Sequence, residues 1–170
     1  MARPFPEAPS SPPGMLSTWE DFMQPALEQA HSAACAGEVP VGAALYDASG
    51  VLLASAANAP ITSNDPTAHA EILCLRKAAQ KEGNYRLPGS ILAVTLEPCL
   101  MCLGAIIHAR VAGIVIGTSD PKAGAIFSRL EGPKIDFINH RFWTISGISA
   151  EECSNVISKF FRSRREDKTR

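Results

Sequence analysis

No stretch of this chain approaches the roughly 20 consecutive apolar residues that a membrane-spanning helix needs, so no membrane span is expected. A secretory h-region is missing as well. Met1 to Gly14 carries Pro4, Pro6, Pro9, Pro12 and Pro13 in its place, which reads as a disordered tail over residues 1–15 with Met15 as an alternative start. The cysteines do not form an even set. There are five, Cys35, Cys74, Cys99, Cys102 and Cys153, an odd count that argues against a disulfide framework. With no signal and no disulfide pattern, a cytoplasmic protein is expected. Excess charge of one sign is also absent. The net charge is −1 and the pI about 6.4, which excludes a generally basic nucleic-acid binder unless positive charge is gathered locally. Neither an internal repeat nor a linker that would split the chain is evident.

What remains is 170 residues with 46% hydrophobic and 19% charged content, enough for one domain with a core of its own. The order of elements reads as a layered α/β domain over residues 16–165, with a flexible basic terminus at 166–170. A helix is expected over Thr18–Ala36, capped by Ser17 or Thr18 and ended by Gly37. Pro25 inside it implies a kink or a later start near Asp21. Strands Val39–Asp47 and Val51–Ala57 follow, joined by the turn Ala48-Ser49-Gly50. Asn58 to Thr67 reads as a loop. A second helix, Ala68–Glu82, is capped by Thr67. Then come a strand over Ser90–Leu96, a helix over Cys99–His108 and a strand over Val111–Gly117. A long connection, Ser119 to Arg141, leads to a short strand over Phe142–Ile145. The last helix, Ser149–Arg164, opens on a capping box of Ser149 and Glu152. Cys35, Cys74 and Cys153 fall in helical patterns and are expected as small buried side chains.

Two motifs carry chemistry. His69-Ala70-Glu71 begins one helix, and Pro98-Cys99-Leu100-Met101-Cys102 begins the next. His69, Cys99 and Cys102 offer one imidazole and two thiolates. Such soft ligands suit zinc better than magnesium or calcium. Three protein ligands leave a fourth position for water, the catalytic arrangement, whereas structural zinc sites usually carry four. His-x-Glu followed by Pro-Cys-x-x-Cys is the established signature of zinc nucleobase deaminases, not a rule deduced from this chain. In that chemistry zinc supplies hydroxide near neutral pH, and the hydroxide attacks an amine-bearing ring carbon. Glu71 moves protons to the ring nitrogen and the leaving amine. The competing readings are a redox cysteine pair, or a four-ligand structural zinc with His108 or His140 as the fourth ligand.

Beyond these motifs the chain resembles the bacterial-type tRNA adenosine deaminases of the zinc-dependent cytidine/deoxycytidylate deaminase superfamily. The likeness lies in Asp65 to Ile72 and Val94 to Ala105. It extends through Glu38 to Ala43, Asn84 to Leu87, Asp120 to Gly124, Asn139 to Arg141 and Phe160 to Arg162. The resemblance implies a three-layer fold with a central five-stranded mixed sheet flanked by helices, and one zinc per subunit of a homodimer. It implies conversion of the wobble adenosine of a tRNA anticodon loop to inosine, usually in the arginine tRNA with an ACG anticodon. By the same likeness Asn58 contacts the flipped base, the Ala70 amide faces it, and Glu71 is the proton shuttle. Asp120, Lys122, Asn139, His140, Arg141, Phe161 and Arg162 match positions near the RNA. Two departures stand out: Ala59 where many members carry arginine, and Ile126-Phe127 where an alanine-glycine pair is common. The terminus Lys159 to Arg170 adds a local excess of four positive charges beside Phe160 and Phe161, suited to phosphate and to an unpaired base. The alternatives are a deaminase of a small base such as guanine or cytosine, and a non-catalytic RNA-binding zinc protein. Retention of Glu71 argues against the latter.

Overall fold

A computed structural model describes residues 5–167. Lys168 and Arg170, two of the basic residues noted above, lie outside the described residues. Five strands form one sheet in the order β2-β1-β3-β4-β5: β1 Gly42–Tyr46, β2 Leu52–Ala57, β3 Ile91–Leu96, β4 Gly113–Thr118 and β5 Trp143–Ser146. The β1–β2 and β1–β3 pairs are antiparallel, while β3–β4 and β4–β5 are parallel, so the sheet is mixed as expected. The helices are α1 Trp19–Cys35, α2 Pro60–Ser63, α3 Ala70–Glu82, α4 Leu100–Ala109 and α5 Ala150–Asp167.

Strand residues alternate between two cores. Ala43, Leu45, Leu92, Val94, Ile114 and Ile116 meet α3 and α4 on one face. Ala44, Tyr46, Ile91, Ala93 and Val115 meet α1 and Cys153 of α5 on the other. Because both faces are covered, β1, β3 and β4 read as near-continuous apolar runs, not as polar–apolar alternation.

Several local expectations change. Thr18 does cap α1, and Asp21 completes a capping box with it. The helix therefore starts before Pro25 and contains it. The Asn58 to Thr67 segment holds the short helix α2, whose proline stands where the missing N–H costs nothing. Thr67 does not cap α3. Its N–H and hydroxyl are both taken by Asp65 in an Asx turn, and His69 occupies the cap position. Ser149 has φ of 51°, not the extended backbone of an N-cap, so the capping box expected with Glu152 does not take its usual form. Cys74 and Cys153 are buried, but Cys35 is exposed in the last turn of α1. The long connection contains a 3-10 turn, Gly132–Lys134, and a bridge from Gly124 to Cys99. Residues 5–15 form no helix or strand, yet Pro12 is buried and the Arg141 guanidinium lies 4.7 Å over the Phe5 ring. Helix α5 continues through Asp167, past the boundary expected at residue 166.

Candidate metal centre and cleft

The register of the sheet defines its two ends. Tyr46, Ile91, Gly113 and Trp143 lie in one row across it. At the other end, β3 passes through Leu96, level with Thr118 of β4, and runs into Glu97-Pro98-Cys99. Here two helices begin side by side. His69 and Cys99 occupy the cap positions of α3 and α4, and Cys102 stands three residues further along α4. Neither cap residue closes its helix with a side-chain hydrogen bond, because both side chains turn toward the other helix.

His69 Nδ1 lies 3.6 Å from Cys99 Sγ and 3.6 Å from Cys102 Sγ, and the two sulfurs are 3.7 Å apart. A tetrahedral zinc with bonds of about 2.3 Å to sulfur and 2.0–2.1 Å to nitrogen requires S···S and S···N separations of about 3.8 and 3.6 Å. The donor set therefore fits zinc in both chemistry and spacing. Among the described residues the metal-ligating cluster consists of these three side chains. The two histidines considered as a fourth ligand stand elsewhere. His108 is exposed in the last turn of α4, and His140 bonds through Nε2 to the Val111 carbonyl near the far end of the sheet. The four-ligand structural reading is thereby corrected.

The thiols share charge. The hydrogen bond from Cys102 and the His69 imidazole hold Cys99 down to about 3 despite partial burial. Cys102, bonded to that thiolate and buried, is pushed up. A bound cation favours thiolate at both. Cys99 also draws the His69 pKa upward. Glu71, in the first turn of α3, is 3% exposed. Burial is the main cause that raises its pKa, and the nearby Cys99 charge adds to it.

His69, Glu71 and Cys99 open onto a cleft of about 260 Å³, lined also by Val39, Val41, Asn58, Pro60, Leu96, Glu97, Asp120 and Ala123. Asn58 is buried there, and its backbone N–H donates to the Val41 carbonyl. Ala70 is fully buried at the start of α3, where the first amides have no intrahelical acceptor. Asp120 lies at the rim, and Lys122 beside it is exposed.

The structure does not bring Asn139, His140 and Arg141 to this cleft. They precede β5, near the opposite end of the sheet. Asn139 takes two hydrogen bonds from Arg110, and Arg141 donates to the Pro133 carbonyl. Helix α5, in contrast, stays at the metal end. Cys153 packs against Gly117, so tightly that a Cβ there would lie 2.4 Å from its sulfur. At the other end of the helix, Arg164 bonds to the Gly37 carbonyl at 2.6 Å. Phe160 lies beneath Arg164, whereas Phe161 and Arg162 are exposed.

Two carboxylates went unassigned in the sequence, Glu38 and Glu97, both essentially buried; Glu97 lines the cleft, and Glu38 directly precedes Val39, which does. Glu38 accepts from the amides of Ile61 and Thr62 and from the Thr62 hydroxyl, tying α2 to the end of α1. Burial works to raise its pKa, but these bonds outweigh it and hold the carboxyl below its usual value. The available signal was an acidic residue directly joined to an apolar run, Val39-Pro40-Val41 in one case and Val94-Thr95-Leu96 in the other.

Residues 16–118 match the cytidine and deoxycytidylate deaminase zinc-binding region. The chain is 49% identical over 149 residues to the tRNA-specific adenosine deaminase of Haemophilus influenzae, an alignment covering 88% of this chain and 86% of that one. A solved structure from a study of A-to-I editing by tRNA:A34 deaminases superposes with a TM-score of 0.77 and 41% identity, over 79% of this chain and 97% of the other. A guanine deaminase from Nitrosomonas europaea superposes with a TM-score of 0.72 at 25% identity, over 94% and 96% of the two chains. Among the described residues no helix is long and apolar enough to cross a membrane. A histidine–cysteine–cysteine cluster at paired helix starts, a buried glutamate beside it and likeness along nearly the whole chain lead to one assignment: the chain belongs to the zinc-dependent cytidine/deoxycytidylate deaminase superfamily, in its family of tRNA-specific adenosine deaminases.

Proposed function

We propose that this protein hydrolyses the wobble adenosine of a tRNA anticodon loop to inosine, with release of ammonia, and that its usual substrate is the arginine tRNA with an ACG anticodon. The observation that carries the reading is the buried Glu71 beside a three-donor metal cluster at the base of a cleft, in a chain 49% identical to a tRNA-specific adenosine deaminase. His69, Cys99 and Cys102 hold one zinc per subunit. When bound, the ion lowers the pKa of coordinated water toward neutrality. Glu71 takes one proton of the attacking water and delivers it to the ring nitrogen. It then takes the second from the hydroxyl now on the ring carbon and delivers it to the departing amine, so that the carbonyl forms as ammonia leaves. Burial suits it to this work, because a raised carboxyl pKa lies nearer the operating pH of a proton shuttle. Asn58 and the Ala70 amide hold the extruded base. An anticodon loop is an economical target, since its bases are already unpaired.

Asp120 and Lys122 at the cleft rim, and Phe161 and Arg162 on exposed α5, contact the flanking nucleotides. Asn139, His140 and Arg141 reach RNA from the second subunit of a homodimer. Support for a dimer comes from exposed apolar side chains on the start of α4 and the connection after β4: Leu100, Met101, Phe127, Leu130 and Phe137. A second reading, deamination of free guanine, is favoured by the Nitrosomonas europaea structure.

One experiment separates the two. Zinc-loaded protein is incubated with total tRNA and, in parallel, with free guanine, cytosine and adenosine. Inosine mapped to the wobble position of one tRNA, with the free compounds untouched, is the expected result. Ammonia from guanine without inosine in tRNA would replace the first reading by the second.

A further inference from the structure

Glu97 stands two residues before the metal-ligating Cys99 and is 2% exposed. It is neither one of the clustered donors nor the carboxylate beside them. Its oxygens are filled from a different direction. Oε1 accepts three successive amides, those of Ile126 at 3.0 Å, Phe127 at 2.8 Å and Ser128 at 2.9 Å. Oε2 accepts the Asp120 amide at 3.1 Å and the Ser128 hydroxyl. Five donors from one loop thus converge on one carboxylate, and consecutive amides arranged in this way form a concave anion seat. The fit is close on the loop side also. A Cβ on Gly124 would lie 2.3 Å from the Glu97 carboxyl carbon, so only glycine lets the loop close onto the carboxylate. The adjoining backbone is tied as well, with the Ala125 amide bonded to the Pro98 carbonyl.

We infer that Glu97 is a positioning residue that anchors loop 120–128 as one wall of the substrate cleft. The same three-residue stretch, Glu97-Pro98-Cys99, carries the loop anchor at one end and a metal ligand at the other. It therefore sets the distance between the cluster and Asp120 and Ala123, which line the cleft. Asp120 passes the order along, since its carboxylate accepts the amides of Lys122 and Ala123. Without the anchor the loop keeps its sequence but loses the placement that lets it meet a base. The role rests on reading the cleft as the site of a deaminase acting on tRNA.

Glu97→Gln tests it. The amide keeps one acceptor for the three successive N–H groups but turns a donor toward Asp120 N–H. In full-length, zinc-loaded protein, KM for an anticodon stem-loop RNA should rise about 10-fold or more, while kcat stays within about 3-fold and zinc content is unchanged. Hydrogen exchange should quicken at the amides of residues 120 and 126–128 and stay unchanged in α3 and α4. Ser128→Ala, which removes one donor of five, should give a smaller KM change of the same kind. If Glu97→Gln does not fold, Gly124→Ala applies the same lesion from the loop side and should give the same split. Loss of zinc from the folded variant, an equal fall in kcat with KM unchanged, or loop exchange identical to the parent would each overturn the positioning role. Failure of the unaltered protein to make inosine is a different result, and it would overturn the reading of the site itself.

Discussion

The two ends of the sheet are built on opposite principles. At the end marked by Tyr46, Ile91, Gly113 and Trp143, aromatic rings close the structure. Phe22 stacks on Tyr46 at 3.7 Å, Trp19 meets Phe22 edge-on at 5.3 Å, and Trp19 meets Trp143 at 5.8 Å. The buried Tyr46 hydroxyl donates to the Phe22 carbonyl. Gly113 leaves room for Trp143, whose ring would lie 2.1 Å from any Cβ at that position. The other end buries three glutamates and Cys102, with His69 and Cys99 half-buried beside them. Packing supplies stability at the first end. At the second, every buried polar group costs desolvation and must be repaid by a partner. The glutamates themselves divide. Glu38 and Glu97 receive enough hydrogen bonds to keep their pKa low despite burial. For Glu71, burial wins and the pKa rises. Abundance of donors marks a scaffold carboxylate, and their scarcity marks one left ready to exchange a proton.

The sharpest way to break this contrast is Glu71→Gln. Deamination should fall by about 10²- to 10⁴-fold, the usual worth of a general acid–base group, with zinc content unchanged by metal analysis. The metal-free protein should become more stable near neutral pH. A raised folded pKa stabilises the protonated form, and that contribution is lost as pH rises through the folded value. Glutamine removes the loss, which thermal melts between about pH 5 and 8 would register.

Phe22→Ala addresses the aromatic end. Truncating a buried phenylalanine costs about 3–5 kcal/mol, read by denaturant unfolding, while kcat and KM of the protein that remains folded should stay near the parent's. A comparable loss of kcat would mean that the two ends are not separable. Acid addresses the scaffold glutamates. Their folded pKa values lie below the ordinary 4.5, so the stability they add is present above that value and is lost as pH falls through the folded ones. Glu38→Gln should therefore flatten the decline in melting temperature below about pH 4.5, relative to the parent. The smallest effect is expected from Arg162→Gln on exposed α5. RNA affinity should fall a few-fold at moderate salt with a shallower salt dependence, as for one lost phosphate contact, and folding should be unchanged.

Much of the site could be read along the chain because its ligands are local. His69 and Glu71 sit at the start of one helix and Cys99 and Cys102 at the start of the next, so spacing alone groups them by chemistry. The sheet was legible for a similar reason, since strands covered on both faces show as apolar runs. Small structures set by side-chain competition were not. Thr67 looked like a cap but was claimed by Asp65, and helix α2 is too short to give a periodic signal. Asn139, His140 and Arg141 looked like companions of Asp120, yet the parallel pairing of β4 and β5 carries them toward the other end of the sheet.

The sequence by itself pointed to a zinc-type donor set, to the carboxylate beside it and to the deaminase family, because those depend on residue type and on separations of two or three positions. Tertiary structure decided the rest. It removed His108 and His140 from the metal, laid α5 at the cleft end through Arg164 and Gly37, 127 residues apart, and brought Glu97 to loop amides 23 to 31 residues away. Contacts over such distances depend on which strands neighbour one another and in which direction they run. Local spacing carries no record of that order.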